Sequence, residues 1–270
     1  MRSIPNRPCL LTPTTPKVDR PLFVFLPGLD GTGQLLRLQT ESLSGYFDVR
    51  CLALPPQALM GWETLAEEVT ELIEGEIRRN PHRPVYLCGE SFGGCLAMQV
   101  AVRSPQVFDR LILINPASSF RNSLWIRWGA QITPWLPEPL YRASTLALLP
   151  FLSALGQIEA GDRQALLEAI QSVPQQTSVW RLALLRDFDL GDLQLRRIRQ
   201  PALILASAGD RLLPSIDEAN RLVHCLRDAR MHILPNSGHT CLLEANVRLF
   251  DILAACEFLD APKSSMAASC

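Results

Sequence analysis

The chain has 270 residues, enough to bury a large core in one or two domains. Its 26 lysines and arginines nearly balance 27 aspartates and glutamates, and no basic stripe stands out, which argues against nucleic acid as a partner and against a membrane surface held by charge. The only lysines, Lys17 and Lys263, fall near the two ends, so chemistry that needs a central lysine, such as a P-loop or a Schiff base, has no candidate.

In chain order, residues 1–19 are broken by prolines and lack an uninterrupted apolar run, so they read as a flexible leader rather than a secretory signal. Short runs rich in Val, Ile and Leu follow at 21–26, 47–54, 84–89 and 110–115, and again at 201–206 and 230–235. Segments with apolar residues at helical spacing lie between or after them, at 62–79, 92–104, 215–227 and 246–259. Strands that are apolar throughout and alternate with helices predict an α/β fold, a mostly parallel sheet covered by helices on both faces.

The alternation stops from 119 to 195, where helical segments broken by Pro134, Pro137, Pro139, Pro150 and Pro174 carry four of the five tryptophans. This stretch reads as a helical cap inserted into a core made of residues 20–118 and 196–259, with 260–270 as a flexible tail. Within it, 144–155 is too short to span a bilayer and suits a lid over an apolar pocket or a surface that touches lipid. The eight cysteines form no CxxC pair and several sit in apolar runs, so they read as small buried hydrophobes in a reducing, cytoplasmic setting. No cofactor and no metal site is expected.

The stretch "CGESFGGCLA" places Ser91 between Gly89 and Gly93, after a predicted strand and before a predicted helix. A serine raised on so sharp a turn needs glycine two residues to either side, where a side chain would strike neighbouring backbone. Such a hydroxyl becomes a nucleophile only if a base takes its proton. His82 falls in a polar loop, His224 in a helix and His232 in a strand, whereas His239 follows the last strand, at the sheet end where open α/β folds hold their sites. The base needs a carboxylate. Pro116 to Pro137 contains none, but Asp210 stands directly after the strand at 201–206. Backbone N–H groups for a developing oxyanion are expected from Phe92, next to the serine, and from the loop "FLPGLDGTG" (25–33), with Leu29 the candidate.

With these residues placed, the chain resembles the α/β-hydrolase superfamily, whose triads follow the order Ser, Asp, His. More closely, "FLPGLDGTG", "GESFGGCLA", "NPASSF" and "SGHTCLLE" resemble the hydrolase-type domain of plastid phytyl ester synthase and diacylglycerol acyltransferase-like proteins. The resemblance implies Ser91, Asp210 and His239 as a catalytic triad and an acyl-lipid or isoprenoid-alcohol ester as substrate. Those plant proteins continue into an acyltransferase-like domain beyond the point where this chain ends. "HTCLLE" has His-x4-Glu where the acyltransferase motif has His-x4-Asp. Ester hydrolysis is therefore the expected reaction, with acyl transfer to phytol or diacylglycerol, or binding without turnover, as the alternatives.

Overall fold

The structure, a computed structural model, describes residues 7–122, 135–152 and 156–260. Residues 1–6 of the expected leader, 261–270 of the tail, and 123–134 and 153–155 of the expected cap lie outside the described residues.

Among the described residues seven strands form one sheet: β1 (Cys9–Leu11), β2 (Leu22–Leu26), β3 (Asp48–Ala53), β4 (Val85–Glu90), β5 (Arg110–Ile114), β6 (Ala202–Ser207) and β7 (Ala229–Leu234). Their spatial order is β1-β3-β2-β4-β5-β6-β7, with every pair parallel except β1 against β3. The strands β2 to β5 are sealed on both faces almost throughout; β2 is apolar at every position, whereas β3 also buries Asp48 and Arg50. Alternate residues serve opposite layers. Leu22, Val24 and Leu26 face helices α2 (Trp62–Arg79), α3 (Phe92–Arg103) and α8 (Ser215–Cys225), while Phe23 and Phe25 face α1 (Arg37–Ser44) and α9 (Leu249–Ala255).

The stretch expected to be a flexible leader differs from that expectation at Cys9–Leu11, which pairs with Cys51–Ala53. Three residues suffice because the pairing closes one edge of the sheet with backbone hydrogen bonds and asks little of side-chain burial. Between β5 and β6 the chain forms α4 (Glu138–Leu152), α5 (Ala160–Gln171), α6 (Gln175–Arg186) and α7 (Asp192–Leu195). Pro150, expected to break a helix, lies inside the last turn of α4. Among the described residues no helix is long and apolar enough to cross a membrane.

The strand order decides where a site can form. From β2 the chain steps outward to β3, then crosses back to place β4 on the other side of β2. The connections after β2 and β4 therefore diverge and leave a crevice at the carboxyl ends of the strands. Leu26 pairs with Gly89 across this point, so the loop 25–33 and the turn at Ser91 begin side by side.

Candidate active site

Ser91 sits between β4 and α3 with φ 53° and ψ −114°, a left-handed backbone costing roughly 1–3 kcal/mol for a non-glycine residue. Bonds on both sides hold it there. Its N–H donates to the Ile114 carbonyl (3.0 Å), and its carbonyl accepts from the N–H groups of Gly94 (3.0 Å) and Ala117 (3.1 Å). The glycines of the motif are a steric necessity. A Cβ on Gly93 would stand 2.0 Å from the Leu26 carbonyl oxygen, and one on Gly89 would stand 2.2 Å from that of Gly93.

The structure brings three sequence-predicted side chains together. The Nε2 atom of His239 lies 2.8 Å from Ser91 Oγ, and its Nδ1 lies 2.7 Å from Asp210 Oδ2. An ionised carboxylate only accepts, so Nδ1 carries the proton and Nε2 faces the serine as an acceptor. Asp210 is held in turn by the N–H groups of Leu212 (2.8 Å) and Leu213 (3.0 Å) on Oδ1, and by the Ser215 hydroxyl on Oδ2. Burial alone would raise the Asp210 carboxyl, but the facing imidazole and the hydrogen bonds from His239, Ser215 and Leu213 outweigh it and hold the group below its ordinary value. Burial opposes protonation of His239, yet the charge and hydrogen bond of Asp210, with Glu90 adding to them, raise its proton affinity above that of an ordinary imidazole.

The other histidines stand apart from this chain of bonds. His82 is exposed, His224 is in α8 bonded to the Asn220 carbonyl, and His232 is in β7 near Cys256.

Of the two residues expected to supply backbone donors, Phe92 follows the serine directly and Leu29 follows Gly28, which lies near it. Phe92 opens α3, where first-turn N–H groups have no intrahelical acceptor, and its ring stacks on Trp62 at 4.8 Å. Leu29 lies on the loop after β2, beside Gly28, at which an added Cβ would sit 3.8 Å from Ser91 Cβ.

Sequence reasoning missed the residues that brace these groups. Asn115, fully buried at the end of β5 with φ 42°, donates through Nδ2 to the His239 carbonyl (2.8 Å) and Ser207 Oγ (2.9 Å). Its Oδ1 accepts from the Ser207 N–H (2.8 Å), so one amide joins β5, β6 and the histidine loop. Glu244 accepts the Gly238 N–H at 2.7 Å, one residue before the histidine. Arg181, in α6, reaches the loop after β2. A polar residue closing an apolar strand was the one visible signal for Asn115; Arg181 left only a charge within the apolar run "VWRLALL". Glu90, immediately before the serine and only 6% exposed, has its carboxyl pushed up to about 8 by burial, with Asp30 adding to that rise and His239 opposing it. Among the described residues no cluster of His, Cys, Asp and Glu has the arrangement to hold a metal ion.

The fold and this arrangement define a class, and sequence comparison reaches it independently: residues 23–252 match the alpha/beta hydrolase family, to which the chain belongs. Among curated proteins it is 33% identical to phytyl ester synthase 1, chloroplastic, of Arabidopsis thaliana, over 88% of this chain and 37% of that protein. It is 27% identical to a pimeloyl-[acyl-carrier protein] methyl ester esterase of Vibrio campbellii, over 81% of this chain and 87% of the relative. The chain thus spans little more than a third of the length of the plant relative. Among solved structures, a hydrolase from Oleispira antarctica superposes with a TM-score of 0.75 at 13% identity, covering 94% of both chains, a likeness of fold.

Proposed function

We propose that the protein is a serine hydrolase of carboxylic esters, acting through Ser91, His239 and Asp210. The observation that carries this reading is the buried imidazole bonded at once to a hydroxyl and a carboxylate, at 2.8 and 2.7 Å. Ser91 Oγ attacks the ester carbonyl carbon while His239 Nε2 takes its proton. Asp210 stays ionised and stabilises the imidazolium. The carbonyl oxygen becomes an oxyanion between the N–H groups of Leu29 and Phe92, where losing one donor costs about 3–4 kcal/mol in the transition state. Collapse of the tetrahedral intermediate breaks the bond to the alkoxy oxygen, which leaves with the proton from His239. Water then attacks the acyl-serine with His239 again as base, and the acid departs.

The ester is of a lipid or long-chain alcohol. Similarity to a phytyl ester synthase and to a methyl ester esterase supports an acyl ester substrate. Trp135, 86% exposed, and Leu140 give the α4 end of the cap an apolar outer surface that favours contact with lipid at the edge of a cytoplasmic membrane. Acyl transfer is the second reading, favoured by the 33% identity to the phytyl ester synthase. In it, an alcohol such as phytol replaces water at the acyl-serine.

The test combines labelling with partition. A fluorophosphonate probe should modify Ser91, and acyl groups from a long-chain ester should appear mainly as free acid when phytol is added. Capture mainly by phytol would replace hydrolysis with transfer. A folded protein that neither labels nor turns over any ester would make the fold a binding module and sink both.

A further inference from the structure

The cap carries a buried cation that the proposed reaction does not use directly. Arg181 is only 2% exposed, in an otherwise apolar stretch of α6. Burying a guanidinium costs several kcal/mol unless its donors are satisfied. Among the described residues it forms no ion pair, and its acceptors are backbone carbonyls. Nη1 donates to Leu29 O at 2.7 Å and Asp30 O at 3.0 Å, and Nη2 reaches Pro55 O at 3.4 Å.

Leu29 and Asp30 are the two central residues of a turn closed by the Gly31 N–H on the Gly28 carbonyl (3.0 Å). In the trans peptide joining Gly28 to Leu29, the N–H points opposite to that carbonyl, away from the turn's interior. The far half of the loop is tied to itself and to the core. Asp30 Oδ2 accepts the Thr32 N–H (2.8 Å), and Gly31 O accepts the Leu54 N–H (2.8 Å). The near half depends on the arginine. The fit is close, since Gly31 has φ +67° and a Cβ there would stand 2.6 Å from Arg181 Nη1. Helix α6 is itself pinned by reciprocal indole bonds, Trp180 Nε1 to Met60 O and Trp62 Nε1 to Leu184 O, both 3.0 Å.

We propose that Arg181 is a positioning residue for the oxyanion donor: by holding the carbonyls of Leu29 and Asp30 it keeps the Leu29 N–H turned to the serine, so the donor is in place only while α6 is docked. This rests on the serine-hydrolase reading and adds to it a cap residue that acts on the transition state rather than on substrate access. The geometry predicts a kinetic signature that loosened packing would not produce.

Arg181→Ala in the full chain should lower kcat on a soluble short-chain ester by about 10- to 100-fold with KM changed less than about three-fold. Affinity for a trifluoromethyl ketone, whose hemiketal oxygen occupies the oxyanion position, should fall by the same factor as kcat. Added guanidinium ion should restore part of the rate, and Arg181→Lys should lie between wild type and Ala. Gly31→Ala, which pushes the guanidinium away, should give the same kcat loss, and it carries the test with Arg181→Lys if the Ala variant is insoluble. A kcat within about two-fold of wild type in Arg181→Ala or Gly31→Ala, or a KM rise at constant kcat, would overturn the proposal. A wild-type protein that neither labels nor turns over would instead remove the reading beneath it, so the two failures are distinguishable.

Discussion

The two ends of the parallel sheet each hold a desolvated cluster of charge, and they are built to opposite ends. At the amino end, Asp48 of β3 accepts Arg50 (2.7 and 3.0 Å), Arg83 (2.6 Å) and the Lys17 N–H (2.9 Å). Glu76 of α2 receives Arg83 at 3.0 Å, Arg50 at 3.2 Å and Arg79. Burial would raise the Asp48 carboxyl, but the bonds from Lys17, Arg50 and Arg83 hold it below its ordinary value. Both carboxylates there face guanidinium groups, which keep their charge across the physiological range. At the carboxyl end the basic group is an imidazole. His239 faces one carboxylate and one hydroxyl, and an imidazole, unlike a guanidinium, can gain or lose its proton near neutral pH. Arginine supplies a fixed charge and histidine a titratable one, with similar burial around both.

Ser91→Ala breaks the comparison most sharply. Turnover should fall by about 100,000-fold while stability changes by less than about 1 kcal/mol, because only one hydroxyl is lost from an already strained turn. Ester turnover measured beside thermal unfolding checks this; a stable variant that keeps substantial hydrolysis would mean another nucleophile. Asp48→Asn is the mirror image. It leaves Arg50 and Arg83 with only Glu76 to balance them and should cost about 3–5 kcal/mol of stability. Denaturant titration reads that loss, and the folded fraction should keep the wild-type kcat.

The smallest effect is a displacement on the pH axis. His239 must be neutral to accept the serine proton, and its affinity in the fold is raised above the ordinary 6.5. The acid limb of kcat/KM should therefore have its midpoint above pH 6.5. By linkage, the protonated His239–Asp210 pair contributes stability that is fully present below pH 6.5 and is lost as pH rises through the folded value. Activity and stability should thus run in opposite directions across that window. A rate profile that stays flat down to pH 5 would remove His239 as the base.

The sequence made the central strands legible because a strand buried on both faces has to be apolar at nearly every position, as "LFVFL" and "RLILI" are. It hid β1, whose three residues stand among prolines and whose pairing is an affair of the backbone. It also hid α1, eight mostly polar residues of which Gln39 and Leu43 are buried. The same division runs through the site. Gly89 and Gly93 advertise Ser91 because a steric demand on the backbone leaves its mark in residue type. Arg181, Asn115 and Ser215 leave no such mark. Arg181 works on carbonyl oxygens and Asn115 partly on one, groups that every residue owns, and Ser215 meets Asp210 only through the local turn after β6.

One strand carries an uneven burden. Ser91 follows β4, flanked by neighbours on both sides, whereas His239 follows β7, which among the described residues pairs with β6 alone. A border strand frays before an interior one, so thermal motion should reach His239 before Ser91. Ladder hydrogen bonds cannot steady a residue hung from an open border. That task passes to side chains lent by other elements: the Asn115 amide on the histidine carbonyl, the Glu244 carboxylate on the preceding N–H, and the Gln39 amide clasping Leu242 and Val247 just beyond.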